Sequence, residues 1–172
     1  MQQWASAVAR RRPELAFGLA GGAFALLFVL TDAARGLLAG EPVTPPSGTL
    51  WLLVLGGFAG GALLAALLWR RLGGARSRGR GVVVGALVGL LALPVPFYIL
   101  EVGVLLVSGN PFGPHPGGLT PLVVLSDAAA FLVVPLFLGA LGLIPTYGGT
   151  VVVGAAVGLL LAWRTPVTNE EA

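Results

Sequence analysis

Five long apolar stretches follow one another between residues 15 and 163, and most of the charges fall outside them. They are residues 15–31 (extendable to Leu38), 50–69, 82–107, 121–144 and 148–163. A helix needs about 20 apolar residues to cross the hydrocarbon core of a bilayer. The runs lack strict alternation and are about twice the length of a barrel strand. Backbone groups in hydrocarbon must satisfy one another, so helices remain. The expected fold is an all-α membrane protein, a bundle of about five transmembrane helices. The turn residues of "PTYGG" separate the last two stretches, and the fifth is the shortest.

Composition agrees. The chain is 56% hydrophobic and only 10% charged, against about 25% charged in soluble domains. It has too few polar residues to coat a water-soluble core. A tail at 1–14, a membrane domain at 15–164 and a polar tail at 165–172 are expected. Cysteine is absent, which excludes disulfides and thiolate chemistry.

Every basic residue is arginine, and the arginines cluster. Arg10, Arg11 and Arg12 precede the first stretch. Arg70, Arg71, Arg76, Arg78 and Arg80 fill the linker between the second and third. The linkers at 40–49 and 108–120 hold no basic residue. This alternation follows the positive-inside rule and predicts a cytoplasmic N-terminus in a multi-pass protein of the cell membrane. The clusters would also contact anionic lipids. No recognition motif accompanies them, so nucleic acid is not an expected partner. Five crossings would put the C-terminus outside, which leaves Arg164 on the disfavoured side.

Small residues recur at a spacing of four: Gly18 and Gly22, Gly56 and Gly60, Gly57 and Gly61, Gly81, Gly85 and Gly89, Gly154 and Gly158. Between helices in lipid, close backbone packing replaces the hydrophobic drive. These faces would join helices within one bundle or between copies, as a homo-oligomer or part of a larger complex; with 27 glycines, chance also yields such spacings. "VVVGALVGLL" at 82–91 returns as "VVVGAAVGLL" at 151–160, identical at nine positions in ten. One reading is a parallel duplication of a helix pair; the other is low complexity.

Charges within the apolar stretches are few and costly, about 2.5–3.5 kcal/mol each at a helix centre. Glu101 and Asp127 each lie six residues from the outer end of their stretch, which is about 9 Å deep at 1.5 Å per residue. Asp32 and Arg35 reach a similar level if the first helix runs to Leu38. Asp32 continues a small-residue stripe through Gly18, Gly21 and Ala25, which predicts an inward side chain. Pro94, Pro96 and Pro135 fall mid-stretch and predict kinks. Pro94 and Glu101 are seven residues apart and share a face. Carbonyls freed beside a carboxylate are the parts of a proton or cation site. The bland alternative is that these carboxylates terminate helices.

HExxH, GxSxG and P-loop motifs are absent, and His115 is the sole histidine. No cofactor, metal or catalytic residue is expected. The expected function is that of an accessory, assembly or self-associating membrane component. The alternative is a small proton- or cation-coupled transporter or channel using the intramembrane carboxylates. An unrecognised intramembrane enzyme is a third reading.

Overall fold

The computed structural model describes residues 12–40, 48–109, 118, 120–146 and 148–163. All regular structure among them is helical. The helices are α1 (Pro13–Leu38), α2 (Gly48–Arg71), α3 (Arg78–Leu91), α4 (Val95–Ser108), α5 (Pro121–Leu141) and α6 (Gly149–Trp163). Four apolar helical stretches are long enough to cross a membrane, with α3 and α4 forming one of them; α6 is shorter. The membrane bundle expected from the sequence is therefore observed. Arg10, Arg11, Arg164, His115 and most of the linkers at 40–49 and 108–120 lie outside the described residues.

The helix starts have local causes. Proline stands at or beside the first position of α1, α4 and α5, where its missing N–H costs nothing. The Ser77 hydroxyl accepts from the Arg80 N–H and the Thr120 hydroxyl from the Val123 N–H, capping α3 and α5.

Two helix pairs meet backbone to backbone. In α1–α2, a Cβ on Gly57 would lie 2.8 Å from the Gly21 carbonyl oxygen, and one on Gly61 would lie 2.6 Å from that of Phe17. In α3–α6, a Cβ on Gly81 would lie 2.6 Å from the Gly158 carbonyl oxygen. Cβ atoms on Gly85 and Gly89 would run into the carbonyl oxygens of Gly154 and Thr150. The other glycine face of α2 receives the next chain segment: Gly56 faces Pro96, and Gly60 faces Ala92 and Val95. Only residues without side chains allow such approach, the usual basis of helix association in lipid. The small core of Phe17, Ala65, Trp69, Val84, Val88 and Leu161 fills the space between the two pairs. The Phe17 and Trp69 rings tilt against each other at 5.5 Å.

The α3–α6 contact explains the repeated segment. The two copies equate Gly85 with Gly154, Gly89 with Gly158 and Gly81 with Thr150. The contacts observed are Gly85–Gly154, Gly89–Thr150 and Gly81–Gly158. Exchanging the copies converts the second contact into the third and leaves the first unchanged. The repeats thus form an antiparallel, self-complementary pair. A parallel duplication would have run both copies in one direction, and that expectation is corrected.

Depth along the bundle follows from these contacts. α6 runs antiparallel to α3, from the level of Gly89 down to Arg78, whose guanidinium lies 4.7 Å from the centre of the Trp163 ring. α5 runs antiparallel to α4: Gly139 packs on Pro94, and the Tyr98 hydroxyl donates to the Leu132 carbonyl. So α5 and α6 run in the same direction, end to end. α5 comes from the far end to the level of Pro94, and α6 continues to the arginine-rich end. With 15 residues, α6 is about 22 Å long, short of the roughly 30 Å hydrocarbon core. The end of α6 therefore sits beside the arginine linker. A fifth crossing in alternating direction would have carried Trp163 away from Arg78.

Candidate functional site

The third apolar stretch was expected to be one kinked helix. It is broken: α3 ends at Leu91, Ala92–Pro94 form a turn, and α4 starts at Val95. Pro94 and Pro96 cannot donate backbone hydrogen bonds, so the helix cannot be carried through both. The turn is held by the Ala92 N–H donating to the Val88 carbonyl (2.9 Å) and the Tyr98 N–H donating to that of Pro94 (3.1 Å). Between α5 and α6, the turn residues Gly142–Thr146 form a second break at the same level. The two face each other: a Cβ on Gly142 would lie 3.7 Å from Leu93 Cδ2, and Gly139 packs on the Pro94 backbone. Irregular backbone at this depth is tolerated where protein or a cavity covers it.

A cavity of about 240 Å³ adjoins both breaks and is lined by residues of α1, α2, α3, α4 and α6. Its wall is almost wholly apolar. Thr146 and Thr150 are the polar side chains among its lining residues. The Thr146 hydroxyl donates to the Gly142 carbonyl at 2.7 Å. The Thr150 hydroxyl is buried and has no hydrogen-bond partner. It was not singled out by sequence, because a threonine at a helix start carries no distinguishing signal.

Glu101 and Asp127 lie away from this cavity, on α4 and α5. Tyr98 sets their register: its hydroxyl is 2.8 Å from the Leu132 carbonyl oxygen, and its ring is 6.3 Å from that of Phe131. Glu101 is three residues beyond Tyr98, and Asp127 is four before Phe131. In an antiparallel pair these offsets bring both carboxylates to one level, one turn beyond Tyr98. Both are half-buried, and Glu101 Oε2 is enclosed without a hydrogen-bond partner. Pro135 is fully buried inside α5. It deprives the Phe131 carbonyl of its helical donor, and Tyr98 binds the adjacent carbonyl. Tyr98 had no sequence signal, since its role depends on which helix faces it.

Asp32 and Arg35 do not join this group. Both are exposed on the last turns of α1, against the expectation that Asp32 points inward. Gly21 lies opposite Gly57 and Phe17 opposite Gly61. The same register carries Asp32 past Gly48, where α2 begins, so α2 does not face it. Of the arginines, Arg12, Arg70, Arg71, Arg76, Arg78 and Arg80 are exposed at one end of the bundle. Among the described residues no group of three metal-ligating side chains forms.

No protein-family model matches the chain, and neither the curated proteins nor the solved structures contain a match to it. The chain is an apolar helical bundle with the build of a membrane protein.

Proposed function

We propose that this chain is a non-catalytic, multi-pass component of the cell membrane that acts by association with another membrane protein through α4 and α5. The observation that carries the reading is the uneven use of its surfaces. The glycine faces are consumed inside the bundle, where α1 meets α2 and α3 meets α6. α5 is the least enclosed of the long spans, 11% buried against 22% for α2. It presents large side chains outward, such as Leu122, Leu125 and Phe137, and α4 does the same with Leu106 and Val107. The arginine end faces the cytoplasm on this reading, where it meets anionic lipid. The test is photo-crosslinking in native membranes from Leu122 and Leu106, with Leu19 on α1 as control. A discrete protein adduct from α4 and α5 but not from Leu19 is expected. Lipid adducts alone at all three positions would refute the reading.

A second reading is favoured by one observation, the enclosed and unpartnered Glu101 Oε2 at the level of Asp127. It makes the pair a proton or cation site of a small transporter or channel. Carbodiimide modification of Glu101 that a specific cation suppresses is its expected signature. Modification indifferent to every cation and to pH would remove it.

A further inference from the structure

Both chain connections between the α4–α5 pair and the other four helices are turns. α3 passes into α4 through Ala92–Pro94, and α5 leaves toward α6 through Gly142–Thr146. The two turns adjoin each other. Gly139 packs on the Pro94 backbone, and a Cβ on Gly142 would lie 3.7 Å from Leu93 Cδ2. A body attached at two adjoining points keeps one easy rotation, about the line through them.

Neither turn is braced as a helix is. Pro94 and Pro96 supply no N–H. The Leu93 N–H donates to the Leu90 carbonyl at 3.4 Å and the Val95 N–H to that of Ala92 at 3.3 Å, both long for such bonds. In the second turn Leu143 and Ile144 donate three residues back, to Ala140 and Leu141. That pattern has poorer geometry than the α-helical one. Short segments at element ends are where hinges absorb dihedral change.

The outward part of the pair is free to follow. Among the described residues, α4 is the only helix along which α5 packs. The glycine seat of α4 on α2 is confined to its first turn, where Gly56 faces Pro96 and Gly60 faces Val95. Every residue from Val102 to Val107 is exposed. The Tyr98 bond to Leu132 and the ring pair with Phe131 lie inside the pair, so a rotation of the whole pair keeps them. α4 has 14 residues and is about 21 Å long. A rotation of about 10° therefore moves its tip by roughly 4 Å and the seat beside the pivot by less than about 1 Å. The moving side chains exchange lipid for lipid, so no hydrophobic drive opposes the swing.

We propose that α4 and α5 form one arm that swings about the paired breaks, while α1–α2 and α3–α6 stay locked by their glycine contacts. Pro96 and Phe97 of the arm line the cavity together with Leu53 and Gly57 of α2, so the swing moves part of the cavity wall. The arm swings whether or not a partner is bound to it.

The test is pulsed electron paramagnetic resonance on the full chain in phosphatidylcholine liposomes. Spin labels go on cysteine pairs, in a chain with no native cysteine. Leu105→Cys with Leu30→Cys spans the arm and α1. Leu105→Cys with Phe137→Cys lies within the arm, and Leu30→Cys with Val83→Cys lies within the locked helices. All four side chains are exposed and have room for a label. The arm-to-α1 distance distribution should be at least about two-fold wider than either internal one. Gly142→Ala favours helix across the second break and should narrow the arm-to-α1 distribution without altering the internal ones. Pro94→Ala returns an N–H to the first break and serves if Gly142→Ala does not fold. An arm-to-α1 distribution as narrow as the internal ones would overturn the swing. A distribution within the arm as wide as that to α1 would show that α4 and α5 do not move as one body. A width unchanged by either variant would remove the pivot from the breaks.

Discussion

The half of the bundle at the arginine-rich end and the α4–α5 half are built on different principles. At the arginine end, α1–α2 and α3–α6 touch through carbonyls and glycine Cα atoms, and the core residues Phe17, Trp69, Val84, Val88 and Leu161 fill what remains. In the α4–α5 half, the start of α4 is seated on α2 through Gly56 on Pro96 and Gly60 on Val95, and α4 meets α5 through Gly139 on Pro94, the Tyr98 hydroxyl on the Leu132 carbonyl and one tilted ring pair. Lipid provides no hydrophobic drive between helices. Tightness must therefore come from absent side chains; beyond the first turn of α4, where no glycine stripe meets α5, the Tyr98 hydrogen bond and the ring pair supplement the Gly139 contact. Glu101, Tyr98 and Asp127 all lie in that second half. On the proposed function, the locked half is scaffold and the open half is where a partner or an ion acts.

The sharpest way to break this contrast is to place the same methyl group in each half. In Gly85→Ala the new Cβ runs into the Gly154 carbonyl oxygen. Backbone cannot yield cheaply, so a loss of about 4 kcal/mol or outright failure to fold is expected. Gly103 in α4 has nothing within 4 Å of a Cβ. There, Gly103→Ala should be neutral or stabilise by up to about 1 kcal/mol through helix propensity. Reversible unfolding in mixed micelles measures both. Equal effects would abolish the distinction.

A smaller effect sharpens the description of the open half. Tyr98→Phe removes the hydrogen bond to Leu132 but keeps the ring against Phe131. The expected loss is about 0.6 kcal/mol, the mean for hydrogen bonds between membrane helices. Measured alone, that is close to error. Its clearer reading is local: amide exchange in α5 should rise near Leu132 and stay unchanged in α6. Faster exchange in α6 would mean that the two halves are not separable.

The helices themselves were legible in the sequence. Apolar length located each span to within a few residues, whereas the caps Ser77 and Thr120 and the prolines at helix starts emerged only with the structure. The glycine spacings were legible as contact faces, but not their partners. That Gly56 and Gly60 receive the α3–α4 break, while Gly57 and Gly61 receive α1, depends on which helices surround α2. Direction was the least legible property. The repeat at 82–91 and 151–160 reads alike whether its copies run parallel or antiparallel. The counting of crossings assumed that each apolar run turns the chain round. α6 does not, because it starts at mid-level and continues the course of α5. Of the site residues, the shared level of Glu101 and Asp127 followed from counting along the two stretches. The exposure of Asp32 did not, since it depends on where α2 begins.

Single-cysteine accessibility tests the broken-span architecture most directly, and the chain has no native cysteine to remove. Gly79→Cys marks the arginine linker, Thr165→Cys the segment just after α6, and Asn110→Cys the linker after α4. In sealed vesicles, an impermeant maleimide should reach positions 79 and 165 from the same side and position 110 from the other. Labelling of 165 from the side that labels 110 would show that α6 turns back to make a fifth crossing, and would contradict the broken span.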